Sequence, residues 1–143
     1  MRAFLVALAL GSILVADTAA ASEGGAKPAP STVLMSPVAL PVIIDGRIAN
    51  YIYVTLRLQL GPKVDAAKMR EKEPFFRDAM VRAAFRAPLW RGGDPNALDE
   101  AKLRAVILRE SSAITGPGSV TGYQLLRAQP QHYLPKLPAA PNS

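Results

Sequence analysis

Cysteine is absent from the 143 residues of this chain. That excludes disulfides, thiolate catalysis and cysteine-ligated metal sites, and leaves stability to a packed core. Histidine occurs once, at His132. A serine triad would need that imidazole held rigidly beside a nucleophile and an acid. His132 lies instead in a proline-rich C-terminal stretch, and neither Ser111, Ser112 nor Ser119 sits in a nucleophile-elbow pattern. No histidine–carboxylate spacing matches a transition-metal site. Gly92-Gly93 and Gly116-Pro117-Gly118 lack the following Lys-Ser or Lys-Thr of a phosphate loop, so both read as turns. Internal repeats and coiled-coil heptads are missing too. These absences leave no catalytic, cofactor or metal residues to assign, and the sequence reads as that of a non-enzyme.

The first apolar run is also short. Met1-Arg2 is a positive start, Ala3 to Ala16 is apolar apart from Gly11 and Ser12, and Asp17 follows. A spanning helix takes roughly 20 apolar residues. Ala19-Ala20-Ala21 supplies small residues at both recognition positions of a signal peptidase, with Ser22 as the expected new N-terminus. The reading is a secretory signal peptide over 1–21; the alternative is an uncleaved anchor extended through Thr18 to Ala21. Residues 22–37, rich in Ala, Gly, Pro and Ser, read as a flexible linker. Residues 38–130 form one domain, and 131–143 a disordered proline-rich tail.

The formal net charge is +6. Removing the leader deletes Arg2 and Asp17 together and leaves that balance unchanged. A positive excess suits nucleic acid, anionic headgroups or an acidic protein surface. Export argues against nucleic acid, and points to a periplasmic protein that stays near the membrane if the N-terminal segment is retained.

The positive structural signals are concentrated between Tyr51 and Arg86. Ile52, Val54, Leu56, Leu58 and Leu60 alternate with Tyr53, Thr55, Arg57 and Gln59, which gives a strand one apolar and one polar face. Gly61-Pro62 stops it. Val38 to Ile44 reads as a second strand, with Pro41 at an edge or a bulge. Asp45-Gly46 joins the two as a hairpin, through a loop longer than the two-residue ideal. Asp65 to Arg86 is helical, interrupted by Pro74. That proline predicts a kink near Arg70–Glu73, or two abutting helices with Pro74 in the first turn of the second. Phe76, Met80 and Ala83-Ala84 form its apolar stripe, and Glu73–Arg77 and Asp78–Arg82 are i,i+4 pairs in the favourable order.

Pro88 to Pro95 is a break. A second helix is expected from Asn96, its N-cap, to Ala113, with Leu98, Ala101, Ala105, Leu108 and Ser112 on one face and Leu103, Val106 and Ile107 widening it. A last strand runs from Ser119 to Gln129. The order β-β-α-α-β defines an α+β fold: a mostly antiparallel sheet with two helices, the first proline-interrupted, packed on one face.

Contact chemistry is sparse. Glu71, Glu73 and Asp78 are neutralised by Arg70, Lys72 and Arg77 and read as a solvated helix face. Arg70, Arg77, Arg82, Arg86 and Arg91 make the helix and its exit basic, and Tyr51 and Tyr53 offer aromatic platforms on the polar side of the strand. Trp90 reads either as an interface anchor or as a lid on the core. Arg77, Arg82, Arg86 and Trp90 are the candidate partner contacts.

Pro74, Arg77, Asp78 and Ala79, then Lys102, Leu103 and Arg104, then a strand ending near Gln129, resemble the periplasmic domain of the flagellar basal-body-associated FliL family over about Val38 to Gln129. The resemblance implies a stomatin-like fold, homo-oligomers in rings, and a non-enzymatic role beside the stator units of the flagellar motor. Members of that family keep one transmembrane anchor after a short cytoplasmic stretch, whereas this chain opens almost directly on a leader of cleavable form. The expected function is an envelope scaffold with a protein partner. The alternative is a periplasmic binding module for an acidic or lipidic ligand, through the same basic helix.

Overall fold

A computed structural model describes residues 29–138. The signal-peptide expectation and the start of the linker lie outside the described residues. The fold is α+β, an antiparallel sheet with helices. Its elements are β1 (Thr32–Leu34), β2 (Val38–Ile44), β3 (Arg47–Leu60), α1 (Ala66–Glu71), α2 (Glu73–Arg86), β4 (Trp90–Arg91), β5 (Asp94–Leu98), α3 (Glu100–Thr115) and β6 (Val120–Pro130).

The long strand β3 is the spine of the main sheet. Ile52 pairs with Leu40 on one side and Pro130 on the other; Leu58 pairs with Val33 and Tyr123. A residue in a ladder has two neighbours, so β1 and β2 share one edge of β3 and β6 takes the other, all antiparallel. The alternation read in the sequence is realised: Ile52, Val54, Leu56, Leu58 and Leu60 are each 0–2% exposed. Leu40 and Val42 of β2, Met69 of α1, Phe76 and Met80 of α2, and Leu103, Val106 and Ile107 of α3 join them in one core. The helices therefore cover a single face of the sheet. Tyr123 fixes the far end of that cover, its hydroxyl donating to the Glu100 carbonyl at 3.1 Å. Burial, and next the Glu100 carboxylate, push the Tyr123 phenol above its ordinary pKa.

Local chemistry accounts for the joints. Asp45 (φ 51°) and Gly46 (φ 73°) take the left-handed conformation of a type I′ turn, and Ile44 pairs directly with Arg47. The hairpin loop thus has two residues, shorter than expected, because the strand begins at Arg47 before its apolar alternation starts. Pro41 lies on an edge strand, and the ladder shifts register just beyond it, between Val42 and Ile43. The proline-interrupted helix is two abutting helices. Asp65 caps α1, accepting from the Ala67 amide at 2.7 Å, and Pro74 sits in the first turn of α2, where a missing N–H costs nothing. Gly61 is obligatory where β3 leaves the sheet: a Cβ there would meet the Gly118 carbonyl oxygen at 2.3 Å.

Three expectations need correction. Residues 32–37 are not linker: β1 pairs with β3, and Val33 and Met35 are buried in the core. Only two side chains of this short segment are buried, too few to stand out as a strand beside the Ala-, Gly- and Pro-rich residues that precede it. The break before the last helix holds a small hairpin, β4–β5, and Asn96 lies within β5. The cap of α3 is Asp99, which accepts from the Lys102 amide at 3.1 Å. With the helix starting later, its buried side is Leu103, Val106, Ile107 and Ser111, while Ala101, Ala105 and Ser112 face solvent.

The tail is the third correction, for residues 131–137. Asn50, itself buried, uses its side-chain amide on both backbone groups of His132: its Nδ2 donates to the carbonyl at 2.5 Å and its Oδ1 accepts from the amide at 3.2 Å. Asn96 does the same for Leu134, at 2.7 Å in both directions. Gln131 and Leu137 donate their amides to the carbonyls of Tyr51 and Gly93. A proline-rich stretch has few backbone donors to anchor it, and here most of that work falls to two distant asparagines.

Candidate functional site

The predicted contact residues divide on the structure. The solvent side of α2 carries Arg82 and Arg86 together with Phe75 and Phe85, residues that remain 57% and 54% exposed. The two phenylalanines stand about 15 Å apart along the axis, at 1.5 Å per residue. Lys72 places its Nζ over the Phe75 ring, 5.4 Å from the centroid. Asp78 lies between them and holds Arg82 at 2.5 Å, the i,i+4 pair read from the sequence. Arg86 donates through Nε to the Arg82 carbonyl. Arg77 is exposed too, but on the flank of the helix beyond Met80 and Ala84. Trp90 is not part of this surface. It pairs with Leu98 in the β4–β5 hairpin and packs against the core, half-buried, with its indole N–H unpartnered among the described residues. It behaves as the lid of the two readings.

The remaining sequence candidates have structural occupations. His132 is exposed and held through its backbone. The Ser111 hydroxyl donates to the Leu108 carbonyl, while Ser119 and Thr115 share a 2.6 Å hydroxyl contact beneath the end of α3. Glu73 accepts from the Ser36 amide at 2.6 Å, which ties α2 to the segment between β1 and β2. Among the described residues no group of three His, Asp or Glu side chains is placed to hold a metal ion. Gly93, Gly116 and Gly118 all have positive φ and form turns.

A second surface was not singled out by the sequence. The outer face of the main sheet, opposite the helices, is uncovered by any described element. It presents Tyr53, Thr55, Arg57 and Gln59 from β3, with Arg127 and Gln129 facing Thr55 and Tyr53 from β6. A depression of about 340 Å³, open to solvent, is lined by Tyr53, Thr55, Arg127, Gln129 and Pro37. Both ladders beside it are irregular at one level. Three residues, Met35 to Pro37, face two, Thr55 and Leu56, on one edge; Leu126 is the extra residue on the other. Bulges bend strands and re-aim side chains, and they recur beside functional sites. Tyr53 had been visible as an aromatic on a polar face; its meeting with Arg127 required the register.

Among the described residues, no helix is long and apolar enough to cross a membrane. No protein-family model matches the chain, and no curated protein matches it.

Proposed function

We propose that this protein is a non-enzymatic interaction domain of the bacterial envelope, of the FliL type, which is exported and steadies a membrane complex such as the flagellar stator by contact. The observation that carries the proposal is the solvent side of α2. Two phenylalanines are left more than half exposed beside Arg82 and Arg86 on a regular helix. Aromatics and arginine are enriched where proteins dock, and a domain that can bury Phe76 in its core has no internal need to expose Phe75 and Phe85. The resemblance through Pro74, Arg77, Asp78 and Ala79 lies on this same helix, and through Lys102, Leu103 and Arg104 on α3. Homo-oligomerisation through the domain belongs to the same proposal.

Two measurements test it. Deleting the gene in a flagellated host is expected to reduce swarming, and unchanged motility removes the motor role. Replacing Phe75 and Phe85 by serine is expected to abolish co-purification with the envelope partner while leaving the thermal midpoint in place. Retained co-purification would rule out α2 as the docking helix. The second reading, an acidic or lipidic ligand on the same helix, is disfavoured there by Asp78, which neutralises the central arginine.

A further inference from the structure

The nine acidic residues within 29–138 avoid the main sheet. They are Asp45 in the hairpin turn, and otherwise Asp65, Glu71, Glu73, Asp78, Asp94, Asp99, Glu100 and Glu110 on or beside the helices and the small hairpin. Strands β1, β2, β3 and β6 contain none, yet they contain Arg47, Arg57 and Arg127. Away from the sheet, four of the eight remaining acids are paired, Asp78 with Arg82, Asp99 with Lys102, Glu110 with Arg109 and Asp94 with Lys136, while Asp65, Glu71, Glu73 and Glu100 form no ion pair among the described residues. Neither Arg57 nor Arg127 has a carboxylate within ion-pair distance among the described residues. Arg127 spends one N–H on the side-chain carbonyl of Gln129, which orients the guanidinium without neutralising it.

We propose that the depression at Tyr53, Thr55, Arg127 and Gln129 is a binding site for an acidic oligosaccharide. A guanidinium pairs with a carboxylate through a planar fork of donors. Tyr53, 43% exposed, offers a ring against which the C–H face of a pyranose can lie. Thr55, Gln129 and, further along the face, Gln59 and Gln124 carry neutral groups that both donate and accept, which is what sugar hydroxyls need. The surface is shallow and open, suited to a chain running across it and not to a small molecule enclosed on all sides. The break between β1 and β2 and the bulge at Leu126 lie at this level, and Pro37 and Arg127 both line the hollow. A nucleic-acid strand would want more positive charge than Arg57 and Arg127 supply on this face, and a lipid surface would want a continuous apolar border in place of separate leucines such as Leu34, opposite Arg57. This site is separate from the α2 surface, so the inference stands or falls apart from the docking role proposed above.

The test is calorimetric titration of the purified full-length protein with tetragalacturonate, alongside the methyl ester of the same oligomer. The acid is expected to bind and the neutral ester to bind about tenfold more weakly or worse. Arg127→Gln is expected to lower affinity about tenfold, Arg127→Lys less, and Tyr53→Ala to lower affinity for acid and ester alike. Arg82→Gln on α2 is expected to change nothing. Thermal midpoints of all variants confirm that they fold. The proposal is overturned if tetragalacturonate does not bind, if the ester binds equally well, or if Arg82→Gln matches Arg127→Gln. It is also overturned if a single-stranded oligonucleotide or vesicles of anionic phospholipid bind at this face more tightly than the acid oligomer does.

Discussion

Leu56 and Thr55 are consecutive residues of one strand, yet they belong to different environments. Leu56 is 0% exposed, beneath the helices and among Val54, Leu58, Phe76 and Leu103. Thr55 looks outward between Tyr53 and Arg57, where no described element covers it. From Tyr51 to Leu60 the inner side chains of β3 are aliphatic, and the outer ones are hydroxyl, amide, phenol or guanidinium. A strand in a single-layer sheet needs only one oily side to fold. The outer side is free of that demand, so an arrangement there of arginines without carboxylate partners, an exposed tyrosine and a bulge at Leu126 is not explained by stability.

The largest effect should separate these two faces by adjacent substitutions. Leu56→Ala removes a fully buried side chain at the centre of the core and is expected to cost about 2–5 kcal/mol. Thr55→Ala, one residue away, is expected to stay within about 0.5 kcal/mol, as surface changes do. Urea denaturation of both variants measures the contrast. Equal losses would mean that the outer face is packed against something, and would end its description as open.

A second substitution tests how the small hairpin holds the tail. Asn96→Ala deletes the clamp on Leu134 and leaves that residue's amide and carbonyl without their partners. Part-buried backbone groups stripped of hydrogen bonds cost about 1–3 kcal/mol, and water reaching the loosened tail reduces this toward the lower end. The expected signature is local: faster amide exchange at Leu134 and Leu137, with the β3 amides still protected. If β3 loses protection too, the tail is part of the sheet's cooperative unit and not an appended strap.

The elements that could be read from the sequence are those with local causes. The period of two from Ile52 to Leu60, the Asp45-Gly46 turn and the proline at the start of α2 each involve neighbours along the chain, and each is found in the structure. What escaped depended on distant partners. Asn50 reaches a backbone 82 residues away, Asn96 one 38 residues away, and a proline-rich composition carries no mark of either contact. Asn96 also satisfied the N-cap rule as well as Asp99 did, but Asp94-Pro95 holds an extended backbone there, and the extended hairpin won. For the candidate contact surface, Arg82 and Arg86 are brought together on α2 as periodicity required, and Phe75 and Phe85, outside the apolar stripe, lie exposed beside them. Arg127 and Tyr53 could be joined only through the β3–β6 register, which a bulge at Leu126 displaces by one residue.

The smallest effect concerns charge, and it contrasts the helical layer with the sheet through pH. The Lys102 amide, above all, together with the Lys102 ammonium, holds the Asp99 carboxyl below the ordinary carboxylate value, against some opposing desolvation. A carboxyl with a lowered folded-state pKa contributes stability that is complete above its unfolded pKa. That contribution is lost as pH falls through the folded value. Acidification should therefore loosen the first turn of α3, read as faster exchange at the Lys102 and Leu103 amides, before it affects β3 or β6, which hold no carboxylate to protonate. Asp99→Asn keeps an acceptor at the N-cap while removing the titration, so its α3 start should become insensitive to pH over that acidic range; Asp99→Ala should be loosened at every pH. A wild-type α3 start that holds down to the lowest pH at which the sheet survives would show that Asp99 caps the helix without its charge. The division between an acid-bearing helical layer and an acid-free sheet would then have no energetic expression at this position.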